Sequence, residues 1–498
     1  MDEKQSYWAS HNHRRHAPGV PQAKEWKYYW DLLYEKRMTE VTNRLRFCGL
    51  MDMAWIVMLH EKGFIDTAIV KKLRPILEKT KTEKGYGGED YLKQNLPDHD
   101  EDTAAAVNFG RTLQEPMARL AMRESLLYLF DELLLALENI LNVAAENLDT
   151  IMAGQSHWSH AQPTTFAAYL LSVHDQLARG LEQMETAYKH VNRNSAGCGA
   201  CSGTGWPVNR ERITELLGFD ETIELTYDCE AAMDERLTTL FAASNIAVSL
   251  SRTAIDFNVW TTAEWNLFYV DMAWRGVSSF MPQKANPGNK FERTRIACNE
   301  VLGKMMNTIF SFKNEPIQDI LPVCGSDKYV MEGLAHLERA LGIYRCMLQN
   351  TKPDRARMKK LLKEGYSGAP DLAVTLIRKK NFGGRSAHRI CATMVRIARE
   401  RNIKPYECTG VLLDEAARIS NDPEPRLTDS EVQDSMSLDN FFIKHCNLGD
   451  PNPDESARLL EKRRVQLKIF REKQTARRES IKAAMKKLDD SMEAICRN

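Results

Sequence analysis

Apolar positions recur at steps of three and four residues over most of the chain, which is the period of an α-helix. Within one such stretch, Leu170, Leu177 and Leu181 would share one helix face. Another stretch, residues 122–151, is apolar on nearly every side, which is typical of a helix at the centre of a bundle. The stretches with the clearest pattern are residues 122–151, 165–191, 233–257 and 296–312. We therefore predict an all-α fold with a long central helical bundle.

Breaks in this pattern and shifts in composition divide the chain into five parts. The first part is a polar tail with three histidines, for which disorder is favoured over metal binding. The predicted parts are the tail (1–22), an N-terminal domain (23–111), a central helical-bundle domain (112–368), a small C-terminal helical domain (369–453) and a charged C-terminal helix (454–498).

The last part has an apolar stripe of its own. Its apolar residues recur at alternating steps of four and three: Ile481, Met485, Leu488, Met492 and Ile495. Acidic residues are interspersed with the basic ones, so a nucleic-acid arm is disfavoured and we expect this helix to pack on a neighbouring subunit. The long central helices likewise have more apolar surface than one thin monomer can cover, which predicts self-association.

Composition excludes some partners. The 498 residues carry 68 basic and 68 acidic side chains, so the formal net charge is zero. The chain therefore has no general electrostatic attraction for nucleic acid or an anionic membrane. Residues 126–141 are very apolar, but Asp131, Glu132 and Glu138 interrupt them, which indicates a buried helix rather than a membrane span. Eleven scattered cysteines form no paired framework, and the absence of a signal-peptide pattern agrees with a reducing cytoplasm.

Three short features are each compatible with a chemical role and with an ordinary structural role. Cys198 and Cys201 form one CxxC, but no second pair accompanies it, so ordinary loop residues are favoured over a redox or metal role. The acidic run at 98–102 favours a solvated loop over an ion site. The glycines of residues 197–205 lie between helices and follow no strand, so a phosphate-cradling loop is disfavoured.

The most informative segment is residues 278–287, which read SSFMPQKANP. It places two hydroxyls, an amine and a carboxamide on a segment too rich in proline to be a helix. Lysine and asparagine can hold a carboxylate, and a serine beside them can remove a proton if its alkoxide is stabilised. Two serines alone would favour an ordinary interhelical loop. The complete string of residues 278–287 favours a functional loop instead.

That string closely resembles the S-S-x-M-P-x-K-x-N signature of the fumarase/aspartase superfamily, whose members cleave C–N or C–O bonds to give fumarate. The resemblance implies that Ser278 is the catalytic base and that Lys284 and Asn286 hold the substrate carboxylate. The remaining signature positions are expected at the substrate as well: Ser279, Met281 and Gln283. Val277 departs from the glycine that commonly precedes the serines.

A second segment, residues 156–163, is similar to the T-H-L-Q-x-A-Q-P segment of the argininosuccinate-lyase branch. The resemblance implies that His157 acts as general acid or proton relay, a role that suits an imidazole because its pKa lies near neutrality. Ser156 stands where the family threonine binds carboxylate. Residues 195–219 and 371–388 are also similar to this branch, and the likeness extends over about residues 25–460.

The first active-site region resembles the branch less closely. Residues 110–115 align with G-R-S-R-N-D: Arg111 is kept and Thr112 keeps a hydroxyl, but the substrate-binding arginine and asparagine become Leu113 and Gln114. Downstream, Lys328 matches a family lysine, whereas the tyrosine and glutamine that hold the amino-acid end of argininosuccinate have no clear counterpart. Arg111, Thr112, Gln114 and Lys328 are therefore expected at a substrate site that differs from that of argininosuccinate lyase.

The resemblance as a whole implies a three-domain fumarase/aspartase-type fold and a homotetramer whose core contains twenty helices. Each active site would combine segments of three subunits, act on a small dicarboxylate and need no metal or organic cofactor. We expect β-elimination of an amine from an N-substituted aspartate. Two alternatives remain open: argininosuccinate lyase itself, and a non-catalytic structural protein on the same scaffold, as lens δ-crystallin is.

Overall fold

The computed structural model describes residues 23–112, 116–277, 280–281 and 285–497, with residues 277, 285 and 286 described for the backbone alone. The histidine-rich tail of residues 1–22 lies outside the described residues. The chain is built almost entirely of helices, joined by four sheets of two short strands each within the described residues. The all-α prediction is confirmed.

The N-terminal domain is organised around a helix that is buried on nearly every side. In α3 every residue from Met51 to Leu59 is buried, because its neighbours cover it all round. Asp66 caps α4 by accepting from the backbone N–H of Ile69 (2.9 Å). The elements are α1 (Lys24–Lys27), a π-helical turn (Tyr28–Leu32), α2 (Leu33–Val41), α3 (Arg44–Glu61), α4 (Thr67–Thr80), α5 (Glu89–Asn95), α6 (Glu101–Ala105) and two 3₁₀ turns (Pro97–His99, Ala106–Asn108).

The acidic run 98–102, predicted to be a loop, ends inside α6, which begins at Glu101, and has a local structural role. Asp100 accepts hydrogen bonds from the backbone N–H of Thr103 (3.0 Å) and from its hydroxyl (2.6 Å), which caps the helix. The carboxylate of Asp100 also pairs with Lys72 (2.8 Å). Among the described residues, no three histidine, cysteine or acidic side chains come together as a metal site.

The central domain consists of five long helices with short helices and strands at their ends. The helices are α7 (Met117–Ala145), α8 (Phe166–Val191), α9 (Arg210–Leu217), α10 (Thr226–Ala231), α11 (Glu235–Trp260), α12 (Asn289–Phe312), α13 (Leu321–Cys324) and α14 (Asp327–Gln349). The strands are β1 (Ile151–Ser156), β2 (Ser159–Thr165), β3 (Arg193–Asn194), β4 (Glu221–Thr222), β5 (Phe268–Val270), β6 (Gly276–Val277), β7 (Ala285–Asn286) and β8 (Thr351–Pro353). A 3₁₀ turn covers Met272–Trp274.

Two side-chain contacts fix the direction of these helices. Arg119 near the start of α7 pairs with Glu235 at the start of α11 (3.2 Å), so both helices begin at the same end of the bundle. At the other end, the hydroxyl of Tyr169 near the start of α8 donates to Asp256 near the end of α11 (2.8 Å). We call the end where α7 and α11 begin the lower end, and the end where they finish the upper end.

Close packing holds the bundle together. A Cβ on Gly180 of α8 would lie 2.3 Å from a side-chain carbon of Ile246, so only glycine lets α8 and α11 approach this closely. Towards the upper end the rings of Phe257 and Phe291 stack with centroids 4.8 Å apart. Both rings are fully buried.

The small C-terminal domain has a hydrophobic core of its own. Leu372, Leu376, Ile390 and Met394 are fully buried within it. Its helices are α15 (Arg355–Glu364), which leads into it, α16 (Ala369–Lys380), α17 (Gly384–Glu400), α18 (Gly410–Ile419), α19 (Asp429–Met436) and α20 (Leu438–Lys444), with a 3₁₀ turn at Pro405–Glu407. The separate core agrees with a distinct unit, while the domain boundaries stay predictions.

The final helix, α21 (Pro453–Arg497), covers its own chain. Leu488 and Met492 are buried in the main core, and Gln474 donates to the backbone carbonyl of Leu127 on α7 (3.1 Å). The expectation that this stripe packs on a neighbouring subunit is wrong. The chain folds back along its bundle, so its own helices offer the apolar partner. No helix in the described part of the chain combines the length and apolar composition that a membrane span needs.

Candidate active site

Thr112 and His157 lie beyond opposite ends of the same helix. Thr112 precedes α7 at the lower end, and the β1–β2 hairpin that carries His157 follows α7 at the upper end. α7 has 29 residues, so at 1.5 Å per residue it separates them by roughly 40 Å. Within one chain the two side chains therefore cannot share a substrate.

The signature loop belongs to the upper end. β6 and β7 pair antiparallel, with Gly276 opposite Asn286, and so close the loop of residues 278–284. Asn258, near the end of α11, donates to the backbone carbonyl of Gly288 (2.8 Å), directly after the loop. Within the loop the structure describes Phe280 and Met281, which are 88% and 38% exposed.

Several predicted site residues are not described, or only in part. Ser278, Ser279, Gln283, Lys284 and Gln114 lie outside the described residues. Asn286 is described for its backbone alone, in β7. The catalytic and substrate-binding roles expected of these residues remain predictions.

The hairpin presents His157 at its tip in an unusual conformation. Ser156 pairs with Ser159, so His157 and Trp158 form a two-residue turn, with φ of 50° and 62°. Two-residue turns of this kind need positive φ at both positions and usually contain glycine or asparagine. Each such residue costs of order 1–3 kcal/mol, and strain of this kind is concentrated at functional sites. Ser156, His157 and Trp158 are all exposed, with Trp158 at 75%.

The hairpin leads directly into α8. The Thr165 hydroxyl accepts a hydrogen bond from the backbone N–H of Ala168 (3.1 Å) and caps α8. A bulge between Ala153 and Gln155 interrupts the strand pairing before the tip. This short, capped hairpin holds the backbone of its tip at the upper end of the bundle.

At the lower end, Arg111 is held inside the protein. Its guanidinium forms an ion pair with Asp52 of α3, and both side chains are almost fully buried. The guanidinium also donates to the backbone carbonyl of Val107 (2.6 Å) and lies 5.6 Å from the ring centroid of Trp55. Arg111 therefore anchors the segment that leads to Thr112, which is exposed.

The ion pair has a consequence for Asp52. Burial raises the pKa of its carboxyl above the ordinary value, even though the positive charge of Arg111 and the hydrogen bonds from Arg111 and Cys48 lower it. Asp52 was not found from the sequence because 59 positions separate it from Arg111. A signal was present, because Asp52 is an isolated acid within an apolar helix and such an acid needs a buried partner.

A glycine-rich loop supports the same segment. Gly110 has φ of 76°, and a Cβ there would lie 3.0 Å from the side chain of Trp206. The Trp206 ring in turn stacks on Phe109, with centroids 5.1 Å apart. Residues 195–209 therefore pack against the first active-site region. The thiol of Cys198 donates to Glu230 (3.2 Å), which agrees with the structural reading of this cysteine.

Lys328 also belongs to the lower end, at the start of α14. It lines a cavity of about 130 Å³ together with Met117, which opens α7, and Arg236, near the start of α11. The structure thus groups Thr112 and Lys328 at the lower end, and the His157 hairpin and the signature loop at the upper end. Nothing in the sequence indicated that Arg236 lines this cavity, apart from its position at a helix start.

Comparison with known proteins identifies similar sequences and similar structures. The family model for lyases matches residues 76–303. An argininosuccinate lyase from Methanococcoides burtonii is 30% identical, over 84% of this chain and 86% of that protein. EDDS lyase in complex with formate superposes with a TM-score of 0.88 at 25% identity, over 96% of each chain. A variant of EDDS lyase with bound fumarate gives 0.87 at 25% identity, again over 96% of each chain.

The fold and these matches define an enzyme of the fumarate-forming carbon–nitrogen lyase class. More specifically, the chain belongs to the fumarase/aspartase superfamily, on its argininosuccinate-lyase-like branch. The superposition on EDDS lyase covers 96% of the chain, so the superfamily fold extends over nearly its whole length.

The buried ion pair yields a stability prediction. Arg111→Met leaves the buried Asp52 carboxylate without its positively charged partner and with only the weak thiol donor of Cys48, so the free energy of unfolding should fall by about 3–5 kcal/mol. Urea denaturation measures this. The double variant Asp52→Leu/Arg111→Met removes both charges and should recover most of the loss. If Arg111→Met lowered activity while leaving stability unchanged, the guanidinium would contact substrate rather than anchor the segment.

Proposed function

We propose that this enzyme catalyses reversible β-elimination of an amine from an N-substituted aspartate or a related succinyl compound, releasing fumarate. The observation that carries the proposal is the signature segment, residues 278–287, held in a strand-closed loop at the upper end of a superfamily bundle. A small-molecule dicarboxylate is the expected substrate class.

Each predicted residue has a chemical role in this reaction. Ser278 removes the proton on the carbon beside one carboxylate, and the two electrons of that C–H bond pass into the carboxylate. Lys284 and Asn286 stabilise the resulting aci-carboxylate, an interaction that must strengthen in the transition state. The intermediate then re-forms the carboxylate and a C=C bond while the C–N bond breaks, and His157 supplies a proton to the departing amine.

A complete site would be shared between subunits. The roughly 40 Å between the two ends of α7 argues that the lower end of one chain meets the upper end of another. Exposed apolar side chains on α11 and α12 offer surfaces for that association: Phe241, Val248, Ile296, Met306 and Phe310. We infer a homotetramer with active sites formed between chains, located in the cytoplasm.

The substrate should differ from argininosuccinate. Leu113 and Gln114 replace an arginine and an asparagine of the argininosuccinate-lyase pattern. The overall likeness to EDDS lyase supports another N-substituted aspartate. The alternative, argininosuccinate lyase itself, is supported by curated relatives such as that of M. burtonii. A non-catalytic role is disfavoured because Ser278, Lys284 and His157 are all present.

Ser278→Ala should abolish elimination. Loss of the catalytic base is expected to lower kcat by about 10²–10⁴-fold, because proton transfer then lacks its acceptor. Fumarate absorbance measures the rate in either direction. The control Ser430→Ala removes an exposed hydroxyl from the C-terminal domain and should leave the rate unchanged. A correctly assembled Ser278→Ala enzyme that retains more than about a tenth of the wild-type rate would exclude Ser278 as the base.

Argininosuccinate should be a poor substrate or none. A site without a partner for a charged group rejects that group, because its desolvation is not compensated. Steady-state kinetics should give a kcat/KM well below about 10⁴ M⁻¹s⁻¹. The double variant Leu113→Arg/Gln114→Asn should improve it. A wild-type value at or above that level would restore the argininosuccinate-lyase assignment.

A further inference from the structure

Asn258, near the end of α11, is joined to the exit of the signature loop by a side-chain hydrogen bond. Its Nδ2 donates to the backbone carbonyl of Gly288 at 2.8 Å. Gly288 follows Asn286 by two residues, and the backbone of Asn286 pairs with Gly276 at the base of the loop. The amide of Asn258 therefore contacts the chain where it leaves the loop and enters α12.

This contact is so close that it requires a glycine. A Cβ on Gly288 would lie 2.6 Å from Nδ2 of Asn258 and 3.2 Å from the hydroxyl oxygen of Thr261. The backbone of Gly288 has φ of −81°, which every residue type can adopt, so its conformation does not call for glycine. Glycine is needed because the amide of Asn258 occupies the space that a side chain would fill.

Folding stability does not explain the amide of Asn258. The carbonyl of Gly288 also accepts from the backbone N–H of Glu292 (3.2 Å), so it keeps a donor without Asn258. The other polar atom of the Asn258 side chain, Oδ1, is buried and has no hydrogen-bond partner among the described residues. A buried polar atom without a partner is destabilising, and asparagine favours a helix less than leucine does. An apolar side chain of similar size would therefore suit the fold of α11 at least as well.

The surroundings of Asn258 are closely packed, so its amide is a fixed point for the loop. The preceding residue, Phe257, stacks on Phe291 of α12 with ring centroids 4.8 Å apart, and both rings are fully buried. At the entry to the loop, a Cβ on Gly276 would lie 3.2 Å from the side chain of Asn289. The entry of the loop thus packs against the start of α12, and its exit is bonded to the end of α11.

We propose that Asn258 is a positioning residue, whose bond to Gly288 holds the exit of the signature loop so that Asn286 meets the substrate carboxylate. Asn258 acts through the backbone and does not contact the substrate. Displacing a group that orients the substrate by about 1 Å can lower the rate by about 100-fold. This inference rests on the proposed function, because it assigns a residue that acts through the same loop.

The test compares Asn258→Leu with the wild-type enzyme in the addition direction. Fumarate is offered with a panel of primary amines that includes methylamine, ethylenediamine, glycine and arginine, and loss of fumarate absorbance gives kcat and KM. For the amine that the wild-type enzyme uses best, kcat should fall by about 10–100-fold. The KM for that amine should change little, because no contact to the amine is lost. The midpoint of urea unfolding should equal or exceed the wild-type value, because the unpartnered Oδ1 is removed.

A double-mutant cycle with Gly288 separates positioning from general damage. Gly288→Ala should also lower kcat, because its Cβ displaces the amide of Asn258. In the Asn258→Ala background the same Cβ meets no amide, so Gly288→Ala should lower kcat little further. A double variant whose loss of kcat equals the product of the two single losses would show that the residues act independently, and would overturn the inference.

Asn440→Leu is the matched control, because Asn440 also donates from Nδ2 to a backbone carbonyl, that of Asp434 in the C-terminal domain (3.0 Å). This variant should leave kcat unchanged. A wild-type kcat in Asn258→Leu would overturn the positioning role and leave the proposed function intact. A fall in kcat that merely follows a loss of folded protein would do the same. Failure of the wild-type enzyme to add any amine to fumarate would overturn both.

Discussion

The length of the central helices is the constraint on which the rest of the arrangement depends. α7 alone spans roughly 40 Å and separates the Thr112 segment from the His157 hairpin. A small dicarboxylate spans a minor part of that distance, so one chain cannot complete the proposed site. Association between chains is thus a requirement of the proposed chemistry as well as a way to cover the exposed apolar faces of α11 and α12.

The two ends of the bundle position their predicted site residues in different ways. At the lower end, the buried pair of Arg111 and Asp52 fixes the segment before α7, and the start of α11 presents Arg236 to a cavity. At the upper end, His157 and Trp158 form the tip of a hairpin. Both residues have positive φ and both are exposed.

The sequence predicted the helices well because their apolar spacing depends only on local geometry. The stretch predicted at 165–191 is the helix Phe166–Val191, and the stretch at 233–257 is Glu235–Trp260. The same spacing could not identify what covers an apolar face, so the prediction for the stripe near Leu488 named the wrong partner. The neighbouring helices that bury it are distant in sequence.

The site residues were predicted mainly because short motifs resemble those of a known family. Such motifs give residue types but not the contacts that surround them. Arg111 was therefore expected at the substrate, whereas its guanidinium is paired with Asp52 inside the N-terminal domain. Arg236 and Glu235 form their cluster with Arg119 across a helix pair, and such contacts leave no pattern in a single sequence.

Mixing two inactive variants tests most directly whether the active site is shared. Ser278→Ala removes the proposed base at the upper end, and the double variant Thr112→Ala/Lys328→Met removes two predicted substrate contacts at the lower end. Co-expression with two different affinity tags isolates the mixed assemblies. If each site combines ends of different chains, random mixing should restore about one quarter of wild-type activity. Each variant alone, purified in the same way, should stay inactive. Mixed assemblies that contain both chains and show no recovery would contradict the account.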